Sequence, residues 1–310
     1  MSTPSSPTAP YAAYLFVYFI GESEDGEQVY FSLSRDGLHW SDLNNGQPVL
    51  RSRLGEKGVR DPFILRAEEE SKFYIVATDL RIASGKGWDV AQYEGSRSVI
   101  VWESEDLVNW SAERSAEMDV PGAGCVWAPE TCYDEATQSH WIFWASMVED
   151  GQGGRKQIIY GSHTKDFRGF SKPERFIERG NHVIDTTIIR EGGWYYRYSK
   201  DETKKCIVLE RSRSLTDPSP EELSSPDLDS LFGVEGPAIF KFNDRNEWCL
   251  LVDQYATGKG YLPLVTDDLA GGRFRILGPD EYDLGETKKR HGSILNLTQA
   301  EYDALMKAWG

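Results

Sequence analysis

The sequence contains few basic residues and no sustained cluster of them. Lysine and arginine together number 34 among 310 residues, against 50 aspartates and glutamates, so the formal net charge is −16. Proteins that bind nucleic acid draw much of their affinity from lysine and arginine side chains that neutralise phosphates. The composition therefore argues against a nucleic-acid partner. The excess of negative charge indicates an acidic, solvated surface.

The chain also lacks a hydrophobic run long enough to cross a membrane near its start. The longest apolar stretch there, residues 12–20, is less than half of the roughly 20 residues that a transmembrane helix needs. Residues 1–13 contain no lysine or arginine, whereas a secretory signal begins with a basic segment. We therefore expect residues 1–13 to form a flexible tail on a cytoplasmic protein that makes no membrane contact.

Cysteine is scarce, and its spacing carries no metal-binding signature. Cys125, Cys132, Cys206 and Cys249 lie in apolar or strand-like surroundings without a CxxC pair. This spacing is typical of buried free thiols in a reducing compartment, although it leaves a disulfide open.

Helical periodicity is nearly absent as well. Only the C-terminal segment LTQAEYDALMKAW shows it, with Thr298 as a candidate cap. Elsewhere, short runs rich in Tyr, Phe, Trp, Val and Ile are bounded by Gly, Asp, Asn and Ser, for example in residues 14–21, 72–80, 140–147, 194–200 and 247–255. Such runs predict an all-β protein.

Two markers recur in step along the chain. The first is an acidic residue or a histidine directly ahead of a short apolar run, at Asp61, Glu130, Asp185, Glu235 and His291. The second is a Ser or Thr followed two positions later by Asp and then by an aromatic residue, from Ser34, Ser104 and Thr164, and in degraded form from Ser212 and Thr266. Markers that keep the same phase indicate a repeated supersecondary unit.

Each repeat contains about four strands, which fits one blade of a β-propeller. Five repeats predict a five-bladed propeller that forms a single domain over residues 14–310. A solenoid is the alternative, but a solenoid carries distinct caps at its two ends. Here the segment GSILNLT near the C terminus supplies the strand that the N-terminal segment YLFVYFIG lacks. We therefore expect a closed ring whose last strand completes the first blade.

In a closed ring, the side chains that open the inner strands crowd around one mouth of the central channel. Carboxyl groups held close together repel one another, so their pKa values separate. Glycoside hydrolysis needs such a set, because one carboxyl must be protonated to assist the leaving oxygen and another must be ionised to activate water. The alternative for each site alone is an Asp or Glu that only caps a turn.

The segments around these residues resemble glycoside hydrolase family 43. They read RDPFILR, WAPE, HVIDTTIIR, VEGPAIFKF and RHGSIL, and the resemblance extends over residues 14 to about 300. It implies an inverting hydrolase with Asp61 as the general base and Glu235 as the general acid. Asp185 would orient the acid and tune its pKa. His291 would lie in the axial channel, where relatives hold a calcium ion or an ordered water, and no cofactor is needed for the chemistry.

The substrate contacts are expected from five further side chains. Trp127 and Trp88 are candidates for stacking on a sugar, although core packing and a plain surface loop respectively compete with that role. Glu130, Arg290 and Asp79 are candidates for hydrogen bonds to hydroxyl groups, and Arg290 could instead bind the carboxylate of the acid. Arg60, if its side chain turns inward, would favour an ionised Asp61.

The substrate class expected from this site is an oligosaccharide with a terminal pentose. The leading interpretation is an exo-acting α-L-arabinofuranosidase, with a β-xylosidase or an exo-galactanase as alternatives within the family. A phosphorolytic enzyme would need a basic cluster beside one acid, and the predicted ring is mostly acidic. A non-catalytic sugar-binding propeller is the alternative from another class. The pattern carries no indication of an oligomeric state.

Overall fold

Five antiparallel four-stranded sheets form the five blades of a β-propeller. The computed structural model describes residues 10–67 and 71–310. Most of the expected N-terminal tail, residues 1–9, lies outside the described residues. The first strand begins at Tyr11, three residues ahead of the expected start of the domain.

The blades are numbered from the N terminus, and the strands of each are given from the channel outwards. The first blade consists of β20 (Arg290–Thr298), β1 (Tyr11–Phe19), β2 (Tyr30–Ser34) and β3 (Trp40–Asp42). The second consists of β4 (Val59–Ala67), β5 (Lys72–Asp79), β6 (Ser98–Ser104) and β7 (Arg114–Glu117). The third consists of β8 (Trp127–Asp134), β9 (Ser139–Glu149), β10 (Arg155–Thr164) and β11 (Glu174–Ile177).

The fourth and fifth blades repeat this order. The fourth consists of β12 (Val183–Glu191), β13 (Trp194–Asp201), β14 (Cys206–Ser212) and β15 (Glu221–Leu223). The fifth consists of β16 (Glu235–Lys241), β17 (Trp248–Asp253), β18 (Tyr261–Thr266) and β19 (Arg275–Ile276). The α-helices of the described residues are α1 (Trp88–Tyr93), α2 (Pro226–Asp229) and α3 (Gln299–Trp309). None of them is long and apolar enough to span a membrane.

The ring is closed by the C-terminal strand, as the sequence predicted. β20 pairs antiparallel with β1, with Tyr14 opposite Asn296 and Val17 opposite Ser293. β20 also lies against both β16 and β4, so each inner strand has an inner strand of another blade on either side. The helix α3 follows at once and begins with the expected cap, because Thr298 and Glu301 form a capping box.

The hydrophobic core consists of five clusters, one at each interface between neighbouring blades. Alternate residues of a middle strand point to opposite neighbours. In β9, Trp141 and Phe143 pack towards the fourth blade, whereas Ile142 and Trp144 pack towards the second. Since both faces of each sheet are buried, the middle strands read as continuous apolar runs rather than as alternating ones.

The Ser/Thr–Asp–aromatic marker forms the turn between the third and fourth strands of a blade. In the first blade the hydroxyl of Ser34 accepts the amide of Gly37 at 2.8 Å, and Asp36 Oδ1 accepts the amides of Leu38 and His39. The turn after Ser104 repeats this pattern. The marker is therefore structural, since these side chains satisfy backbone amides that the turn leaves unpaired. All four cysteines are free thiols, as expected.

Polar side chains bridge neighbouring inner strands around the channel. Ser293 on β20 accepts the amide of Ile64 at 2.8 Å and donates to the carbonyl of Pro62. The hydroxyl of Tyr261 donates to the carbonyl of Gly236 and accepts the amide of Gly292, both at 2.9 Å. These bridges satisfy backbone groups at the inner edges of separate sheets, where no ladder supplies a partner.

We predict that Tyr261→Phe destabilises the protein by about 1–3 kcal/mol, because the variant leaves the buried Gly292 amide and Gly236 carbonyl without this partner. Tyr198→Phe is the matched control. Tyr198 is equally buried, but its hydroxyl has no hydrogen-bond partner among the described residues. Urea unfolding followed by fluorescence measures both variants. Equal stability of the two would show that the Tyr261 bridge contributes nothing.

Candidate active site

The inner strands of the second to fifth blades all contain a bulge next to their first residues. The register breaks between Arg60 and Phe63 in β4, and β8, β12 and β16 break at the corresponding point. Each bulge contains a residue in the left-handed region, with φ of 50° at Asp61, 48° at Ala128, 45° at Asp185 and 52° at Gly236. Bulges re-aim side chains and are frequent beside active sites.

The bulges show that the five marker residues are not structurally equivalent, contrary to the sequence prediction. Asp61 and Asp185 occupy the left-handed position, and His291 lies at the corresponding register shift of β20 with β1 but has no positive φ. Glu235 lies one residue before that position and Glu130 two residues after it. The proline that follows the left-handed residue in three strands (Pro62, Pro129 and Pro237) is the signal that would have aligned the repeats.

His291 lies between the two aspartates. Its Nδ1 is 3.4 Å from Asp61 Oδ1 and 3.9 Å from Asp185 Oδ2. Asp61 also accepts a 2.7 Å hydrogen bond from the Thr78 hydroxyl, which in turn accepts the amide of Ala128 from the next blade. The structure therefore brings Asp61, Asp185 and His291 together at one place in the channel, as predicted.

The surroundings of these three groups shift their pKa values in different directions. Burial works against the charge of His291, but the carboxylates of Asp185 and Asp61 raise its pKa to about 9. Burial would raise the pKa of Asp61, but its hydrogen bond with His291 and the charges of His291 and Arg60 hold that pKa below its usual range. Burial raises the pKa of Asp185 to about 6, and the negative charges of Glu235 and Asp61 add to the effect. Asp61 is thus the more readily ionised carboxyl of the pair.

Glu235 is held by two cations. Its Oε2 accepts a 2.8 Å hydrogen bond from Lys200 Nζ, and its Oε1 accepts a 3.0 Å hydrogen bond from Arg290 Nη2. Arg290 also donates through Nε to the buried Asp253. Of these partners, sequence reasoning named only Arg290, as a possible ligand of the acid. Lys200 and Asp253 were missed because they come from the ends of middle strands, where no repeated marker stands.

Gly236 connects Glu235 to the pair of aspartates. Its amide donates to Asp185 Oδ2 at 3.1 Å. Its φ of +52° suits glycine, and a Cβ there would lie 2.7 Å from the ring of His291. Glycine is therefore required by the close approach of the imidazole, and it also adopts this conformation without strain. Through this residue, the strand that carries Glu235 is fixed against the strand that carries Asp185.

An aromatic rim adjoins Asp61. Trp88, at the start of α1, is 48% exposed, and its ring meets the half-buried Trp127 edge-on with 6.1 Å between centroids. The Arg60 guanidinium lies 5.0 Å from the centre of the Trp88 ring. Arg60 itself is buried and pairs with Glu22 and Glu27, so its side chain turns inward. Trp88 and Trp127 thus form a partly exposed aromatic pair beside Arg60, the neighbour of Asp61 in the chain.

Two of the predicted substrate contacts are not placed to touch a ligand. Glu130 is buried, and it shares a hydrogen bond with Thr187 of the next blade. Asp79 is also buried, and its oxygens accept the Glu56 amide at 2.8 Å and the Ser96 hydroxyl at 2.6 Å. Both carboxyls are buried and hydrogen-bond to other residues of the protein, so neither is free to bind a sugar, contrary to their assignment as sugar ligands.

The residues around His291 do not fit a calcium ion bound directly to its imidazole. Calcium is a hard cation, for which an imidazole nitrogen is a poorer ligand than oxygen. Calcium also prefers six to eight oxygen ligands. Among residues 10–67 and 71–310, no group of three or more His, Cys, Asp or Glu side chains is arranged to hold a metal. A calcium ion held through water in the channel stays a prediction.

Comparison with known proteins identifies one matching family and several solved structures with the same fold. The model of a family related to glycoside hydrolase family 43, described as a probable glycosyl hydrolase domain, matches residues 9–303. An α-L-arabinofuranosidase of Bifidobacterium longum subsp. longum is 32% identical over 312 aligned residues. That alignment covers 88% of this chain but only 28% of the relative, so the chain spans less than a third of that protein.

Two solved structures share the fold. A β-1,3-galactosidase of glycoside hydrolase family 43, solved with galactodeoxynojirimycin, has a TM-score of 0.61 at 14% identity, with 89% of this chain and 96% of that chain covered. A β-xylosidase has a TM-score of 0.55 at 14% identity, with 71% and 77% covered. At such identities the likeness concerns the propeller fold alone.

The pKa of Glu130 generates a test of the site's electrostatics. Burial raises this pKa to about 8, well above the 4.5 of an exposed glutamate. The folded state therefore binds the proton more tightly than the unfolded state, and stability falls as pH rises between these values, by at most about 1.4 kcal/mol per pH unit.

Glu130→Gln replaces the proton-bearing carboxyl by a neutral amide, so we expect a flatter decline in stability between about pH 5 and pH 8. Thermal unfolding at several pH values measures it. His291 contributes a decline of its own between pH 6.5 and about 9, and because the charge of Glu130 helps to raise the pKa of His291, the two proteins are compared below pH 6.5. Parallel curves for the two proteins would contradict a protonated Glu130.

Proposed function

This chain belongs to the family of probable glycosyl hydrolase domains related to glycoside hydrolase family 43, and on that premise we propose that it is an inverting exo-glycosidase that releases a terminal pentose from oligosaccharides. The observation that carries the proposal is the meeting of Asp61, Asp185 and Glu235 at one channel mouth in three different electrostatic environments. The pKa of Asp61 is lowered and that of Asp185 is raised, so neighbouring carboxyls of this site are tuned in opposite directions, as acid–base catalysis requires.

In the proposed mechanism, Asp61 takes a proton from a water molecule that attacks the anomeric carbon. Its lowered pKa, with its Thr78 and His291 contacts, keeps it ionised and fixes its direction. Glu235 gives a proton to the oxygen of the departing sugar, so the bond from that oxygen to the anomeric carbon breaks as the bond to water forms. Asp185 holds the Gly236 amide, and through it the orientation of Glu235.

The terminal sugar that we propose is α-L-arabinofuranose, in short arabinose-containing oligosaccharides of the kind that come from hemicellulose. The 32% identity to the bifidobacterial arabinofuranosidase supports this choice. Trp88 and Trp127 supply the aromatic faces on which a furanose ring can stack. The cytoplasmic location expected from the sequence remains a prediction.

A panel of aryl glycosides tests the proposal directly. We expect hydrolysis of the α-L-arabinofuranoside, with weaker or no hydrolysis of the β-xyloside and the β-galactoside. Proton NMR during the first turnovers should show a product of inverted anomeric configuration, since water attacks from the face opposite the leaving group. Hydrolysis of the β-xyloside or β-galactoside alone would reassign the sugar. No hydrolysis of any member would favour a sugar-binding propeller.

Leaving-group chemistry separates the roles of the two principal carboxyls. Glu235→Gln removes the proton donor, so glycosides with poor leaving groups should lose about a hundredfold to ten-thousandfold in kcat, whereas activated aryl glycosides should lose much less. Asp61→Asn removes the activation of water, which both substrates need, so the two losses should be similar. Near wild-type rates of Glu235→Gln on both substrates would exclude Glu235 as the acid.

A further inference from the structure

Both carboxyl oxygens of Glu235 accept hydrogen bonds from cations. Lys200 Nζ lies 2.8 Å from Oε2, and Arg290 Nη2 lies 3.0 Å from Oε1. The proposed acid must carry a proton on one of these oxygens, and a cation within hydrogen-bond distance of each oxygen competes with that proton for the same carboxyl group. Withdrawal of one of the two cations would therefore assist Glu235 in acting as the acid.

Arg290 is the less able to leave. Its Nε donates to Asp253, whose side chain is fully buried, and its guanidinium also lies 4.0 Å from Glu22. Its withdrawal would leave the Asp253 carboxylate buried without a counter-charge, which is costly. Among the described residues, the other oxygen of Asp253 has no hydrogen-bond partner to compensate.

Lys200 has a second carboxylate within reach. Its Nζ lies 2.6 Å from Glu202 Oε2, and the ring of Tyr255 lies 4.4 Å from Nζ. Glu202 stands two residues further along the chain, in the turn after β13, and pairs on its other oxygen with the more exposed Lys205. A lysine whose ammonium already contacts two carboxylates can release one without losing its counter-charge. The aromatic face retains the ammonium in either position.

We propose that Lys200 is a positioning residue that passes its ammonium from Glu235 to Glu202 when substrate binds. In the free enzyme Lys200 holds Glu235 in place as a carboxylate. The substrate brings its glycosidic oxygen to the position beside Oε2, and Lys200 then pairs with Glu202 alone. Glu235 takes a proton from solvent water and gives it to the departing oxygen, while Asp61 later returns to solvent the proton that it took from the attacking water. The proposal rests on the function proposed above.

Glu202→Gln tests this handover, because it removes the charge that receives Lys200. We expect kcat on a poor-leaving-group arabinofuranoside to fall at least about tenfold, a part of what general acid catalysis supplies. An activated aryl arabinofuranoside, which needs little protonation, should stay within about threefold of wild type. The alkaline limb of the kcat profile should also move to lower pH, because Lys200 confined to Glu235 favours its ionised form.

Lys205→Met is the matched control, because Lys205 touches the same Glu202 carboxylate but not Glu235. It should match wild type on both substrates, and a loss as large as that of Glu202→Gln would overturn the proposal. Equal losses of Glu202→Gln on both substrates, or no loss on either, would also overturn it. Glu202 is only partly buried, and a thermal unfolding curve like that of wild type shows that the variant folds.

The two proposals fail in different ways. If the wild-type protein hydrolyses no glycoside of the panel, the proposed function is wrong. If the wild-type protein is active and Glu202→Gln shows no dependence on the leaving group, only the handover is wrong. Lys200→Gln provides a second measurement, since loss of the cation should move the alkaline limb to higher pH, opposite to the shift in Glu202→Gln. Shifts of both variants in the same direction would overturn the handover.

Discussion

The inner strands of a propeller belong to different sheets, so their edge amides and carbonyls face the channel without a ladder partner. The protein meets this constraint with side chains that reach across each junction: Ser293, Thr78, Glu130 with Thr187, Asp185, and Tyr261. Some of the same side chains therefore both close the ring and build the site. Asp185 and Thr78 serve both, because each joins two inner strands and also sets the position of a carboxyl at the mouth.

The charges at the mouth form two alternating chains. In one, His291 lies between Asp61 and Asp185; in the other, Arg290 lies between Glu235 and Asp253, while Lys200 continues from Glu235 to Glu202. Pairing offsets the desolvation of each buried charge and fixes its geometry. The same pairing holds the candidate acid and the candidate base differently. Asp61 has partners that favour its ionised form, as a base requires, whereas both oxygens of Glu235 accept hydrogen bonds from cations.

The sequence predicts most of the fold because the residues that repeat along the chain are those that the fold requires. Ser34, Asp36 and their equivalents close turns, and residues 292–298 complete the first blade. Asp61, Asp185, Glu235 and His291 lead inner strands, so a repeat marker finds them. Lys200 and Asp253 end middle strands, and nothing in the local pattern distinguishes them from core polar residues. Glu130 lies two residues after the left-handed residue of its bulge, and its buried carboxyl shares a hydrogen bond with Thr187 of the next blade.

The pairing of β20 with β1 has a consequence for how the chain is ordered. Tyr11 and Thr298 are register partners, roughly 5 Å apart, so the start of the first strand and the end of the last lie side by side. A circular permutant that joins these ends and opens the chain in the exposed turn at Asp280 and Glu281 would build every blade from contiguous residues. Its ring would close through side-chain contacts between the first and fifth blades, such as Tyr261 with Gly292, and no longer through a sheet that both chain ends share.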